Sequence, residues 1–285
     1  MIEKRSNWQR FARKAVPRIP QYLIAIFVSL IVLAPLAIAI LGSFKTTGEL
    51  VSRPFSLPKE WLLENYQFVL AQESFWQQLR NSTIVMVGTV GLSVLSSSMA
   101  AFVFARMSFK GRDLLFNFFM IGLLFPLIVA ILPLYLIMRQ LDLLDSLQGM
   151  ILVQAAFGIP GTILILRGFF RALPRDLEDA AYIDGCTAFG FFWRVLMPLS
   201  TPALAANASL GMVGSWNAFF LPLVVLDDEK LWTLPLGTMQ FSGQWFTEWA
   251  RVMAFVVIAM LPAVVFYLVA ERYIISGLTG GALKG

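Results

Sequence analysis

The sequence predicts an all-α integral membrane protein with six transmembrane helices. The chain has 285 residues, of which 58% are hydrophobic and 14% charged, and its mean hydropathy is +0.75. A soluble domain of this size has too little interior to hide so much apolar surface. Six uncharged runs are each close to or above the roughly 20 residues that a helix needs to cross the bilayer core. They are residues 19–44, 81–105, 114–138, 146–166, 195–226 and 252–270.

Basic residues predict that both termini lie in the cytoplasm. Most of the 22 Lys and Arg residues lie in the N-terminal tail, in the loops after the second and fourth runs, and near the C-terminus. Short loops rich in Lys and Arg stay on the cytoplasmic side. The chain then divides into a basic cytoplasmic tail (1–20), a first transmembrane helix (21–43), a five-span core (81–272) that contains a polar cytoplasmic loop (171–200), and a cytoplasmic tail (273–285).

The first span has one alternative interpretation, a cleaved secretory signal. A basic segment precedes it, and Ala37-Ile38-Ala39 offers the small residues that cleavage prefers. The apolar stretch is longer than a typical signal core, however, and cleavage would leave five spans with the termini on opposite sides. We therefore expect an uncleaved first span.

Several kinds of chemistry are excluded by residues that the sequence lacks. It contains no His, which excludes an imidazole base and a His-ligated metal. The stretch from Gly42 to Thr47 has a Lys-Thr pair without the glycine spacing of a phosphate-binding loop. The apolar runs lack the charged residues that gradient-driven carriers usually keep inside their spans. We therefore expect no catalytic residue, metal or cofactor in this chain, no nucleic-acid partner, and a partner that supplies any energy for uphill transport.

The polar loop between the fourth and fifth runs predicts a short helix outside the membrane. Pro174 stops the preceding helix, Asp176 can serve as N-cap with an acid three residues later, and Gly185 ends the helix. Small residues at three- and four-residue spacing form one face that suits a groove of another protein. The candidate docking residues are Leu177, Glu178, Asp179, Ala180, Ala181, Asp184 and Gly185.

Neutral polar residues inside the runs are candidates for lining a pathway. The strongest are Asn207, Trp216 and Asn217, because proline and glycine interrupt the fifth run around them. Irregular backbone at membrane depth is tolerated where it lines a cavity. An aromatic ring beside an amide also suits a sugar, which stacks its C–H face and pairs its hydroxyls. The alternative explanation is that small residues such as Gly88 and Gly91, and the amides, simply hold neighbouring helices together.

Three motifs resemble the permeases of ATP-binding cassette (ABC) importers. Asp179-Ala180-Ala181, Gly185, Val195 and Pro198 have the spacing of the EAA loop of that family, with Asp in place of the leading Glu. Residues 214–223 (GSWNAFFLPL) are similar to the fifth-span signature of carbohydrate-uptake permeases. The ending 271–285 (ERYIISGLTGGALKG) is similar to the tail of the second, six-span permease of maltose-type importers.

The resemblance implies a type I ABC importer permease fold and a set of partners. These would be a homologous but different permease, two copies of a cytoplasmic ATPase that carries ATP and Mg, and an extracytoplasmic solute-binding protein. The location would be the cytoplasmic membrane of a bacterium or archaeon. The loop helix would be the coupling helix that docks on the ATPase. The implied binding-protein contacts are Thr238, Met239, Gln240, Gly243 and Gln244, and the implied tail contacts with the ATPase are Gly277, Leu278, Thr279, Gly280 and Gly281.

The predicted function is a non-catalytic permease subunit that couples a partner's ATP hydrolysis to alternating access for a sugar or oligosaccharide. Glycerol-3-phosphate or another solute is also compatible with the motifs, although a phosphorylated solute favours a cation in the pathway. An ATP-independent channel or carrier is a further alternative. A membrane-embedded enzyme is disfavoured because the chain has no His and no clustered pair of acids in any run.

Overall fold

In a computed structural model, residues 19–243 and 246–282 are described, and they are mainly helical, as predicted. The helices are α1 (Ile19–Gly42), α2 (Thr47–Ser52), α3 (Glu64–Ala71), α4 (Glu73–Arg106), α5 (Arg112–Ile121), α6 (Leu127–Gln140), α7 (Leu147–Ala172), α8 (Asp176–Ile183), α9 (Ala188–Phe191), α10 (Met197–Leu199), α11 (Thr201–Trp216), α12 (Phe220–Val225), α13 (Leu234–Gly237) and α14 (Trp249–Ala282). A π turn (Phe192–Leu196) joins α9 to α10, and 3₁₀ turns cover Gly122–Leu124, Glu229–Leu231 and Thr238–Phe241.

Within the described ranges, four helices are long and apolar enough to cross a membrane. They are α1, α4, α7 and the Trp249–Leu268 part of α14. A fifth span results if α5 and α6, which are bent by 104° relative to each other, are counted as one. The structure therefore describes a multi-helix membrane protein with fewer continuous spans than the six that we predicted.

The third predicted span, residues 114–138, is broken at Pro126. The pyrrolidine ring disfavours helical dihedrals at the preceding residue, and Phe125 is extended with φ −90° and ψ 112°. Pro126 then begins α6 as its N-cap residue. The sequence prediction counted apolar residues and gave no weight to this proline.

The fifth predicted span, residues 195–226, is also interrupted. Pro202 has no N–H to donate to the carbonyl of Pro198, and the hydroxyl of Thr201 donates to that carbonyl instead at 2.7 Å. The chain breaks again after Trp216 and resumes as α12, which contains Pro222. At the C-terminal end the helical backbone of α14 continues through Ala282, so most of the predicted tail 273–285 is an extension of the last helix.

The described residues divide into two compact units, one that contains 19–69 and the described part of 241–258, and another that contains 70–240 and 259–282. In the first unit, the apolar window of α1 has no buried residue, as expected of a helix that faces lipid. After α1 the side chain of Lys45 is fully buried. Its ammonium donates to the carbonyls of Arg53 at 2.8 Å and Pro54 at 3.3 Å, which stabilises the following turn.

In the second unit, α4 packs along α7 and α11. A Cβ added at Gly88 would lie 2.6 Å from Cδ1 of Ile151, so α4 and α7 approach closely at this glycine. Gly88 therefore fits the helix-packing explanation, whereas a Cβ added at Gly91 would meet no atom of another element within 4 Å. A buried apolar cluster, the loop-side core, lies where α4 and α7 end. Its members are Ala101, Phe102, Ala105, Leu166, Phe170, Ala181, Phe191, Phe192, Leu196 and Ala203.

Candidate functional site

The candidate site has two parts within the second unit, the loop helix α8 and a cavity between α4, α7 and α11. Helix α8 begins one residue earlier than the capping prediction implied. Arg175 is the N-cap residue, and its carbonyl accepts bonds from the N–H groups of Glu178 at 2.8 Å and Asp179 at 3.0 Å. Asp176 lies inside the first turn and caps nothing with its side chain, so its predicted N-cap role is wrong. It nevertheless adds negative charge where the helix dipole favours it.

The end of α8 confirms the predicted stop at Gly185. This residue has a φ of +81°, a left-handed conformation that glycine adopts without a steric penalty. The N–H of Cys186 donates to the carbonyl of Ala181 at 2.9 Å, and the N–H of Gly185 donates to that of Tyr182 at 3.0 Å. This pair of bonds is a Schellman motif, and it fixes the direction in which the chain leaves the helix.

The structure divides the predicted docking residues between two faces. Ala181 is buried and packs into the loop-side core, so its side chain does not lie on the exposed surface with its predicted partners. Glu178 is partly buried. The remaining predicted residues are exposed: Leu177, Asp179, Ala180, Asp184 and Gly185.

The sequence prediction missed two large apolar residues on the exposed surface of this loop. Ile183 is 86% exposed and Phe189, which follows the Schellman turn, is 66% exposed. Exposed apolar side chains of this size are available for contact with a partner protein. The signal was present in the sequence, because Ile183 and Phe189 are large apolar residues within an otherwise polar loop.

Glu178 joins α8 to the end of α4. Its carboxylate accepts a bond from Nη1 of Arg106 at 3.4 Å and another from the hydroxyl of Tyr182 at 3.0 Å. Burial, followed by the hydrogen bond to Glu178, raises the pKa of the Tyr182 hydroxyl above its ordinary value. The hydroxyl therefore stays protonated, and able to donate, at physiological pH.

The cavity has a volume of about 580 Å³, and its wall is mostly apolar. The polar residues in the wall are Thr89, Ser93, Gln154, Thr162, Asn207, Ser215 and Asn217. In the part of the chain that the structure describes, no Asp, Glu, Lys or Arg lines it. The wall therefore suits an uncharged ligand that carries both apolar surface and hydroxyl groups.

Gln154 lies at the centre of the polar wall and was not among the predicted pathway residues. Its side-chain oxygen accepts bonds from the hydroxyls of Ser215 at 2.6 Å and Thr89 at 3.3 Å, and its buried Nε2 has no partner. If the carboxamide were turned over, the oxygen would be the unpaired end instead. In either orientation, one end of this side chain has no hydrogen-bond partner.

Two of the three predicted pathway residues line the cavity. Asn207 and Asn217 are in its wall, and their amide groups donate to carbonyls one turn earlier in their own helix, both at 2.8 Å. Trp216 is buried outside the cavity wall. Its indole N–H donates to the carbonyl of Ala259 at 3.0 Å, and its ring packs edge-on against Phe266.

The predicted binding-protein segment, 238–244, is folded over most of its length. The side-chain oxygen of Gln240 accepts a bond from the hydroxyl of Ser74 at 3.1 Å. Met239 is exposed, and the backbone of Ser242 forms an antiparallel bridge with Thr247. Gln244 lies outside the described residues. The predicted ATPase-contacting residues, 277–281, have helical backbone within α14.

A membrane bundle with a short exposed loop helix and a cavity between its helices is an architecture that suits a transport protein. The chain belongs to the family described as binding-protein-dependent transport system inner membrane component, which matches residues 93–279. This confirms the ABC importer permease family that the three motifs indicated.

Relatives agree with this assignment, and a solved structure shares the fold. The chain is 35% identical over 258 residues to the diacetylchitobiose uptake system permease protein NgcG of Streptomyces coelicolor, covering 90% of this chain and 85% of the relative. It is 35% identical over 275 residues to the arabinooligosaccharides transport system permease protein AraQ of Bacillus subtilis, and the match covers 95% of this chain and 97% of the relative. Its fold matches a chain of a bacterial ABC transporter involved in the import of the acidic polysaccharide alginate, with a TM-score of 0.80 and 23% identity. The match covers 95% of this chain and 99% of the other.

Proposed function

We propose that this chain is the transmembrane permease subunit of an ATP-driven, binding-protein-dependent importer for a sugar or oligosaccharide. The observation that carries the proposal is the family match together with relatives that are named as saccharide permeases. The subunit itself is a non-catalytic membrane component. In the proposed assembly it pairs with a homologous second permease above two ATPase subunits, which bind ATP and Mg, and receives solute from a binding protein outside.

The exposed face of α8 is the proposed docking surface for the ATPase. It presents Leu177 and Ala180 beside acids, and Ile183 and Phe189 extend its apolar area. A partner that buries these side chains gains hydrophobic contact, and basic residues of that partner can pair with the acids. The proposal places this loop and both termini in the cytoplasm of a bacterium or archaeon, with six membrane crossings that include the broken third and fifth segments.

The uncharged cavity wall favours a neutral saccharide as the solute. Relatives and solved structures are named for neutral and for acidic saccharides alike, so the family does not choose between them. Burying an acid or phosphate against this wall would leave its charge unpaired on this subunit, at a cost that a neutral hydroxyl avoids. A phosphorylated solute such as glycerol-3-phosphate is therefore disfavoured.

The assembled complex tests the proposal directly. The chain would be produced with its partner permease and ATPase, placed in proteoliposomes, and assayed with a binding protein and radiolabelled saccharides. We expect uptake that requires ATP and the binding protein, and faster uptake of a neutral saccharide than of a uronic-acid saccharide of the same length. Uptake that proceeds without ATP would instead support a channel or carrier.

Labelling of Cys186 tests the proposed orientation. This residue is the only cysteine in the sequence and is partly exposed just after the Schellman turn. A membrane-impermeant maleimide should label it in inside-out vesicles stripped of ATPase, label it less in the complete complex, and leave it unlabelled in intact cells. Cys186→Ser supplies the background signal. Labelling from outside intact cells would overturn the topology.

Replacing Gln154 tests the cavity as the solute path. The free end of the Gln154 carboxamide is buried in this structure, and once movement of the wall exposes it, a solute hydroxyl, which both donates and accepts, can pair with it. Gln154→Leu should raise the solute concentration for half-maximal uptake about threefold to tenfold, since one hydrogen bond is worth about 0.5–1.5 kcal/mol. Gln148→Leu, an exposed position on the same helix, is the matched control. Equal kinetics in both variants would remove Gln154 from the path.

A further inference from the structure

We propose that Arg106 is a positioning residue that transmits movement of α8 to the cavity wall. The inference rests on the proposed function. It goes beyond docking because it concerns how a movement of α8 reaches the cavity between the membrane helices. Arg106 is the last residue of α4, and its side chain is only 3% exposed. An arginine that is buried at the end of a long apolar helix requires an explanation, since burial without partners is costly.

The guanidinium of Arg106 bonds to two other elements. Its Nη2 donates to the carbonyl of Phe170 at 2.7 Å and to that of Leu173 at 2.9 Å, which belong to the last turn and C-cap of α7. Its Nη1 pairs with Glu178 of α8 at 3.4 Å. Terminal carbonyls of a helix lack partners within that helix and carry its negative dipole end, so a cation is well suited to them.

Three elements thus meet at one planar group, which we call the Arg106 clasp (Arg106, Glu178 and the carbonyls of Phe170 and Leu173). The fixed fork of an arginine side chain gives such contacts a defined geometry that a lysine cannot reproduce. Around the clasp, Ala181 of α8 packs with Phe102 of α4 in the loop-side core. A displacement of α8 is therefore resisted by the clasp and by the core on the same side of α8.

Helix α4 connects the clasp to the cavity. Ser93 and Thr89, which are in the cavity wall, lie 13 and 17 residues before Arg106 on the same unbroken helix, a distance of about 20–25 Å along its axis. A helix of this kind moves as a rigid element, so a shift at one end becomes a shift or tilt at the other. The clasp would then convert movement of the docked α8 into movement of the wall.

The test separates coupling from assembly. Arg106→Gln, Glu178→Gln and the double variant would be compared with the wild type in the reconstituted complex. Recovery of the ATPase with the permease, binding-protein-stimulated ATP hydrolysis and solute uptake would be measured for each. Arg112→Gln is the matched control, because it removes the same charge from the same loop region, and the described partners of Arg112 are its neighbour Asp113 and the carbonyl of Met107.

We expect Arg106→Gln to recover the ATPase normally but to lower uptake per ATP hydrolysed about fivefold or more, in the range of ordinary coupling between sites. Glu178→Gln should have a smaller effect, because the two carbonyl contacts stay in place. The double variant should be no worse than Arg106→Gln, as for two residues that act as one unit. If Arg106→Gln does not assemble with the ATPase, the uptake per ATP hydrolysed in Glu178→Gln tests the proposal instead.

Wild-type uptake per ATP hydrolysed in both Arg106→Gln and Glu178→Gln would overturn the clasp. So would a loss of uptake that only follows lost assembly in both variants. Either result leaves the proposed function intact, provided that the wild type and Arg112→Gln show ATP-dependent uptake. Absence of that uptake in the wild type would refute the proposed function itself.

Discussion

Gly185→Asp should abolish solute uptake while leaving the protein in the membrane. Apart from its chain neighbours, no described atom lies within 4 Å of a Cβ built at this position, so an aspartate side chain has space, although the φ of +81° strains any side chain there. It would project from the exposed end of α8, next to Asp184, into the proposed ATPase interface. Burying an additional unpaired carboxylate there costs several kcal/mol, and every 1.4 kcal/mol is a factor of ten. Stimulated ATPase activity in the reconstituted complex should fall about a hundredfold or more.

Gly185→Asn is the matched control for this prediction. Asparagine has nearly the same shape as aspartate, and both tolerate the left-handed backbone that Gly185 adopts with its φ of +81°. The two variants therefore share any strain in the turn and differ in charge alone. We expect Gly185→Asn to retain most of the activity. An equal loss in both variants would mean that the turn is the sensitive feature, and normal stimulation in Gly185→Asp would remove this face from coupling.

The sequence predicted local features of α8 better than it predicted the membrane spans. Pro174 and Gly185 act through backbone geometry of their immediate neighbours, so the bounds of the loop helix could be predicted to within a residue. The third predicted span is broken at Pro126, and the fifth is interrupted where its prolines and glycines indicated. Hydropathy summed over residues 114–138 outweighs one proline in a count, whereas in the structure Pro126 begins a new helix after a break. Pro202 likewise lies in the first turn of a new helix, α11.

The candidate site shows the limit of reasoning from one helix at a time. Periodicity placed Ala181 with Leu177 on one face, but it could not show that this alanine lies in the same buried core as Phe102, which is far away in the sequence. The same limit applies to Gln154 and Arg106. Both were visible as polar or charged residues, but their significance depends on partners from other helices, including Ser215, Thr89 and Glu178.

A pair of arginine substitutions at adjacent positions tests the division of α8 into two faces. Ala180 is exposed on the proposed docking surface, whereas Ala181 is 7% exposed and packs in the loop-side core. Ala181→Arg would place a large cation among Phe102, Phe170 and Phe191, where the described neighbours offer apolar surface. An uncompensated buried charge costs about 3–5 kcal/mol, which is a large part of the stability of an ordinary domain.

Ala181→Arg should therefore lower the yield of folded permease and abolish uptake, as measured by size-exclusion chromatography in detergent and by transport. Ala180→Arg should give a normal yield and a monodisperse peak, because its side chain extends from the surface. It should nevertheless lose ATPase recovery, since the new cation either disrupts the apolar contact or is buried unpaired in the interface.

If Ala181→Arg folded normally and lost only ATPase recovery, both alanines would belong to the docking surface and the inward packing of α8 would be wrong. If Ala180→Arg retained full ATPase recovery, the exposed face of α8 would not be the docking surface, whatever the behaviour of Ala181→Arg.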